Sequence, residues 1–295
     1  MTGSTVNLDG QTIEISNRDK VLFPDAGVTK GDLIDYYARI APDVLPHYRG
    51  RALTMHRFPD GIAKDGFYQK AIPDYFPDWI DRITLSKESG EITQVVADTA
   101  ATLVYLANQG CITPHLALAR TQTPDHPDRL VFDLDPSDDD FSKVQSVAKC
   151  LRAQLQTRDL PAFVQTTGSR GLHILIPLDA TVGFDGVRKA AHAIAEALVA
   201  DLPEIATLEH RKSKRGTRVF IDTLRNAYGQ TSVAPYAVRA RPGAPIATPV
   251  TWKEALAAGL SPRKYTIRNI FRRLGQTDDP WAGLADATVP ASRLN

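Results

Sequence analysis

The segment LVFDLDPSDDDF, residues 130 to 141, places five aspartates in twelve residues, and the first two close an apolar run. Asp133 and Asp135 are two apart in a stretch that reads as a buried strand, so their side chains leave the same face with Cα atoms roughly 6–7 Å apart. Leu130, Phe132 and Leu134 point the other way, into a core. Two like charges at the edge of a core are costly unless something positive meets them. A third aspartate, Asp222, ends a second apolar strand, RVFIDT. Hard divalent ions such as Mg²⁺ and Mn²⁺ take oxygen ligands of this kind, together with water and substrate phosphate. Three carboxylates from two strands are suited to hold a pair of ions about 4 Å apart, which would clamp the attacking and leaving oxygens of a phosphoryl transfer. Asp138, Asp139 and Asp140 read differently, as first-turn residues of the next helix favoured by its dipole.

These carboxylates need strands and helices to hold them. RLVFDLD leads into Pro136 and then Ser137, the expected N-cap of a helix carrying Val144, Val147, Leu151 and Leu155. AFVQTT, the turn GSRG and LHILIPL read as a hairpin, FDGVRKAAHAIAEALVADL as an amphipathic helix, and TRVFIDT and SVAPYAVRAR as two further strands. Upstream, Thr29 is the expected cap of a helix with Asp32 at its third position and Leu33, Tyr36, Tyr37 and Ile40 on one face. RALTMHRF and DGFYQKAIP read as strands, EITQVVADTAATLVYLANQGCITPHLAL mixes strand and helix signals, and RKYTIRNIFRRL carries Ile267, Ile270, Phe271 and Leu274 at helical spacing with Arg268 and Arg272 outside. Strands and helices interspersed in this way predict an α/β chain with mixed sheets.

The chain has 295 residues and a formal charge of +1, so it can bury a sizeable core and announces no polyanionic partner by net charge. Any nucleic-acid surface must come from local clustering, and the run HRKSKRGTR (210 to 218) is a candidate for contact with a phosphate backbone. Two cysteines, Cys111 and Cys150, are too few for a disulfide framework or a thiolate zinc site. No apolar run is long enough to span a membrane, and the N-terminus lacks the plan of a signal peptide. A soluble protein of the cytoplasm, associated with the nucleoid, is the expectation.

Read in order, LVFDLDP, TTGSRGLHILIPL and VFIDTLRNAYGQTSVAPYAVRARPGAPIATPVTW resemble the polymerase domain of bacterial ligase D, of the archaeo-eukaryotic primase superfamily. The resemblance runs from about residue 13 to 275. It implies a primase-polymerase fold, an RRM-like catalytic sheet with an N-terminal α/β unit. The expected organisation is one catalytic domain over 1–295, with an N-terminal unit to about 125, a catalytic unit over about 126–275 and a tail over 276–295. The activity implied is metal-dependent nucleotide addition to DNA 3′ ends at gaps or double-strand ends in non-homologous end joining. Two Mn²⁺ or Mg²⁺ ions serve it, with NTP or dNTP as substrate and ribonucleotides preferred. Ku and a DNA ligase are the implied protein partners.

Position by position, the resemblance makes Asp133, Asp135 and Asp222 the metal triad. It sets His115, Arg57, Thr167, Arg170, His173, Arg225 and Arg239 around the incoming nucleotide. The family commonly writes T-S-G-G-K-G-L-H where this chain has Thr167 and Arg170, so a hydroxyl and a positive charge are kept but with different geometry. The tryptophan usual after His-Pro is absent, the local sequence being PHLALAR. Lys20 and Lys30 match a pair that reads a downstream 5′-phosphate, and Phe67 and Tyr68 an aromatic pair that stacks near the template. No K-x-D-G-x-R ligase signature is present, which leaves open a free-standing module or a domain of a longer polypeptide. Two other classes use D-x-D. Haloacid-dehalogenase-type phosphatases continue it with Gly-Thr or Gly-Val, not Pro-Ser, and glycosyltransferases leave the GSRGLH hairpin unexplained. A DNA-end-binding module with a vestigial site is a further alternative.

Overall fold

The structure, a computed structural model, describes residues 4–87 and 89–294; the first three residues of the N-terminal stretch read above for a signal peptide lie outside these. The chain divides into two units. Unit one takes the chain up to Ala117 with Val233–Ile246 and Thr266–Arg268, and unit two takes Leu118–Ser232, Ala247–Tyr265 and Asn269 onward. The sequence suggested one boundary near residue 125. The first division instead falls after Ala117, and the chain returns to unit one twice. The segment expected as a tail contributes Trp281, Val289, Ala291 and Leu294 to the buried residues of unit two.

Unit one begins with the hairpin β1 (Ser4–Leu8) and β2 (Gln11–Ile15), then β3 (Val21–Phe23) and β4 (Val28–Thr29). Helix α1 (Lys30–Tyr48) follows and buries Leu33, Tyr36, Tyr37 and Ile40 on one side. Its start is the expected capping box: Thr29 accepts from the Asp32 N–H, and the Asp32 carboxylate accepts from the Thr29 N–H. Next come β5 (Ala52–Arg57), β6 (Phe67–Gln69), β7 (Arg82–Lys87), β8 (Gly90–Val96), α2 (Ala100–Asn108) and β9 (Cys111–Ala117). The ambiguous stretch from Glu91 to Leu118 thus resolves into strand, helix and strand. The sheet runs β9-β5-β8-β7, with β6 also on β5. The returning segment is tied in by side chains: Tyr36 donates to the Tyr236 carbonyl at 2.6 Å, Tyr48 to that of Pro235 at 3.1 Å and Thr113 to that of Val238 at 2.6 Å.

Unit two contains β10 (Arg129–Pro136), α3 (Phe141–Gln156), β11 (Phe163–Thr166), β12 (Leu172–Pro177), α4 (Phe184–Asp201), β13 (Ala206–Thr207) and β14 (Val219–Asp222). Strand β15 (Thr231–Val233) holds the crossing into unit one, and β16 (Pro249–Val250) closes the far edge of the unit-two sheet. The sheet order is β13-β14-β10-β12-β11-β16. Its central four strands, β14-β10-β12-β11, are each antiparallel to their neighbours and linked through α3 and α4, a split βαβ arrangement of the RRM kind. One face carries Leu130, Phe132, Leu134, Leu172, Ile174, Val219 and Ile221, packed with Val144, Val147, Leu151, Val187 and Ile194 of the two helices. Alternation along the strands therefore turns Asp133, Asp135, His173 and Asp222 to the opposite face.

Three local expectations fail. Helix α3 is capped by Asp140, which accepts from the Ser142 N–H at 3.0 Å, while Ser137 donates to the Arg218 carbonyl at 2.6 Å. Asp138 and Asp139 precede the helix, and Asp138 pairs with Lys143 at 2.5 Å. The amphipathic helix expected over residues 263 to 274 forms only at Ile270–Leu274, because Thr266 bridges to Pro245 and the Ile267 N–H donates to the Ala244 carbonyl, which keeps that stretch extended. The strand expected from Ser232 through Arg241 stops at Val233, and Tyr236 adopts a φ of 60°, a left-handed backbone that no strand continues through.

Candidate active site

In unit two the register of the sheet aligns one residue from each of four strands: Gln165 opposite His173, His173 opposite Asp133, and Asp133 opposite Asp222. Asp133 and Asp222 are thus directly paired across adjacent strands, an arrangement that like charges disfavour unless a cation joins them. The cation is Arg225, whose Nε stands 3.5 Å from Asp133 Oδ2 and 3.4 Å from Asp222 Oδ2. Burial raises the Asp222 carboxyl above its usual range; Arg225 pulls it down again and the Asp133 carboxylate pushes it up. On the other side, His173 Nε2 lies 3.2 Å from Asp133 Oδ1, and its Nδ1 lies 3.1 Å from Ser232 Oγ and 3.4 Å from Gln165 Nε2. A carboxylate only accepts, so the Nε2 hydrogen is directed at Asp133.

Asp135 shares the face but not the row, being opposite Phe220. Its two oxygens accept from one Arg170 nitrogen at 3.1 and 3.2 Å. The turn that presents Arg170 is held without the guanidinium. Thr167 Oγ1 accepts from the N–H groups of Ser169 and Gly171 at 3.3 and 3.1 Å, and the Thr167 N–H donates to the Gly171 carbonyl at 3.0 Å. The turn also lies against the D-x-D strand so closely that a Cβ on Gly171 would overlap the Leu134 carbonyl. Thr167 is therefore a brace of the turn.

The donor set fits hard divalent ions in its chemistry. All three carboxylates share a face, and a positive guanidinium already bridges two of them. Among the described residues, however, no three carboxylate, imidazole or thiolate groups converge closely enough to hold one ion as they stand. Asp135 is drawn away to Arg170.

Unit one carries the remaining candidates. Arg57 ends β5, opposite Phe67 on β6, and His56 is opposite Tyr68. The buried Arg57 guanidinium donates to the Gln109 carbonyl at 2.9 Å, Gln69 Oε1 at 2.7 Å and the Tyr75 hydroxyl at 3.1 Å, with its centre 5.6 Å from the Phe67 ring. Tyr68 stacks on His56 at 4.0 Å, and His115, on β9, meets Tyr68 edge-on at 5.5 Å. Phe67, Tyr68 and Tyr75 remain 46%, 61% and 61% exposed, unusual for aromatics and suited to stacking on bases. Burial, then the charges of Arg239 and Arg241, lower His56 to about 4. Lys20 pairs with Asp60 at 2.5 Å, and the largely buried Lys30 reaches Ser16 Oγ at 3.1 Å. Burial, then the neighbouring Lys20, lowers Lys30. The start of α1 offers no free amide in this region: the N–H groups of Lys30, Gly31 and Asp32 are taken by Lys20 O, Arg18 O and Thr29 Oγ1.

His56, Tyr75, Gln165 and Ser232 were not singled out from the sequence. A lone amide within the apolar strand FVQT was the available signal for Gln165, since a buried amide demands partners. In the basic run, Arg215 and Arg218 donate to the loop's own carbonyls, leaving Arg211, Lys212 and Lys214 exposed.

An RRM-type sheet with paired carboxylates on the face away from its helices defines a primase-polymerase fold. The chain belongs to the family described as LigD, primase-polymerase domain, whose model matches residues 29–281. Among solved structures it resembles the polymerase domain from Mycobacterium tuberculosis ligase D in complex with DNA, with a TM-score of 0.87 at 33% identity over 93% of this chain and 98% of that one. It is 34% identical over 294 residues to the multifunctional non-homologous end joining DNA repair protein LigD of M. tuberculosis, and 32% over 283 residues to LigD of Mycolicibacterium smegmatis. These matches cover 96% and 95% of this chain but only 38% and 37% of the relatives' length.

Proposed function

We propose that this chain is a primase-type nucleotidyltransferase that extends DNA 3′ ends at gaps and breaks in non-homologous end joining. The observation that carries this reading is the register pair Asp133–Asp222 with Asp135 on the same face. Asp133, Asp135 and Asp222 would hold the divalent ions, Mn²⁺ or Mg²⁺, and two such ions supply Lewis-acid stabilisation of the attacking and leaving oxygens. Arg225 and Arg170 bring positive charge for the triphosphate, and His173 is held by Gln165 and Ser232 in one orientation beside Asp133. Arg57, His115 and Arg239 are the further nucleotide-contact residues of this reading, and Phe67 and Tyr68 offer stacking surfaces for template bases. Lys20 and Lys30 recognise a 5′-phosphate through their ammonium groups alone, since the neighbouring amides are committed. DNA, NTPs and dNTPs are the proposed ligands, with Ku and a DNA ligase as partners in the cytoplasm. Among the described residues no helix is long and apolar enough to cross a membrane.

The test is extension of a gapped, 5′-phosphorylated duplex with NTPs or dNTPs in Mn²⁺ or Mg²⁺. Product formation that depends on Asp133 is expected. DNA binding without any product under either metal would leave an end-binding module instead. NTP and dNTP competing for a one-nucleotide gap test the proposed ribonucleotide preference, and a strong dNTP preference would reject it.

A further inference from the structure

Each of the three carboxylates faces a guanidinium: Arg170 meets Asp135, and Arg225 is shared by Asp133 and Asp222. Arg170 has no part in bracing its own turn, which Thr167 and the close seat of Gly171 secure. It also has somewhere to go. A cavity of about 330 Å³ borders Arg170 on the side of Ser169 and Leu260; Asp139 lines it, offering an alternative carboxylate, together with Arg263 and with Asp138, which is already paired with Lys143.

We propose that Arg170 is a resident counter-cation of Asp135 that competes with divalent ions there and thereby sets their affinity. The proposal rests on the metal reading of Asp133, Asp135 and Asp222. An ion approaching Asp135 must displace the guanidinium from both oxygens and also meets its repulsion. A triphosphate that draws Arg170 away lifts both costs, so nucleotide and metal bind with positive coupling. Asp133 and Asp222 differ in sharing one guanidinium at longer range, so Arg170 is the stronger competitor.

The experiment titrates Mn²⁺ alone into the full chain without nucleotide, reading free Mn²⁺ by electron paramagnetic resonance. Arg170→Gln is expected to bind Mn²⁺ about three- to tenfold more tightly than the wild type, the scale of a partly exposed charge acting on a divalent ion. Arg170→Lys, which keeps the charge on a shorter side chain, is expected to fall between them, and it serves as the readout should the glutamine variant not fold. Unchanged or weaker Mn²⁺ binding in these variants, with binding abolished by Asp133→Asn, overturns the proposal and leaves the metal reading intact. Mn²⁺ binding that survives Asp133→Asn overturns both.

Discussion

The two units solve opposite electrostatic problems. In unit two, three carboxylates gather on one sheet face and the chain supplies its own guanidiniums to meet them. In unit one, the buried Arg57 guanidinium donates to a carbonyl, an amide oxygen and a phenol and lies beside the Phe67 ring, all neutral groups. Its charge is solvated but not cancelled, and Arg239 and Arg241 add to the same field at His56. A face whose charge is already compensated exchanges one cation for another, whereas a face with uncancelled positive charge attracts anions at longer range. The two regions therefore differ in what meets their charges as much as in the charges themselves.

The most severe way to break the comparison is Asp133→Ala. It removes one member of the row and leaves Arg225 with a single partner, and extension activity is expected to fall at least about a thousandfold, as when transition-state charge stabilisation is lost. DNA-end binding, dependent on unit one, should change less than about threefold in a fluorescence anisotropy titration. The converse variant, Lys20→Ala with Lys30→Ala, is expected to remove the preference for 5′-phosphorylated over 5′-hydroxyl gaps, each lost contact accounting for about 10- to 150-fold. Both substrates must be measured at one salt concentration. Extension of a primer-template without a downstream strand should hardly change, and an undiminished phosphate preference would move that pocket elsewhere.

Two smaller effects sharpen the contrast through pH. Burial alone would raise Glu254, yet hydrogen bonds from Arg273 and the Thr251 N–H hold it down at about 2. Its folded value lies below the unfolded one near 4.5, so its contribution is complete above pH 4.5 and is lost as pH falls through about 2. Glu254→Gln should cost about 1–2 kcal/mol at pH 7 after allowance for solvent screening. The loss should vanish in acid, as chemical denaturation at pH 7 and pH 2 would read. His56 in unit one is also held low, but by burial and by cations. Its folded value of about 4 against 6.5 unfolded means stability is full above pH 6.5 and declines toward pH 4. His56→Gln should flatten the part of the melting-temperature profile between those values; an identical slope would place the titration elsewhere.

Much of unit two was legible because alternation alone fixes which face a strand residue takes. Asp133, Asp135 and Asp222 follow from period two, and Val144, Val147, Leu151 and Leu155 from period 3.6; all four of the latter are buried. The Thr29 cap was legible from two residues three apart. Partners were not. That Arg170 meets Asp135, or that His173 leans on Ser232, depends on strand register, which no local pattern encodes. The misplaced cap has a similar origin: Ser137 is a good cap by type, but a tertiary acceptor, the Arg218 carbonyl, takes its hydroxyl. Likewise the burial of Arg273 against Glu254, nineteen positions away, had no signal in the local pattern.

The return of Val233–Ile246 to unit one bears on how the protein is made. Tyr36, Tyr48 and Thr113 find their acceptors at Tyr236, Pro235 and Val238. During vectorial synthesis those three hydroxyls are translated long before their carbonyls exist, and most of unit two emerges in between. Unit one therefore cannot finish folding until most of unit two has been translated, and a fragment cut after Ala117 would expose the seat of the missing segment. Unit two in turn waits for Trp281, Val289, Ala291 and Leu294, translated after the last segment of unit one, so neither unit can close until most of the other has been made.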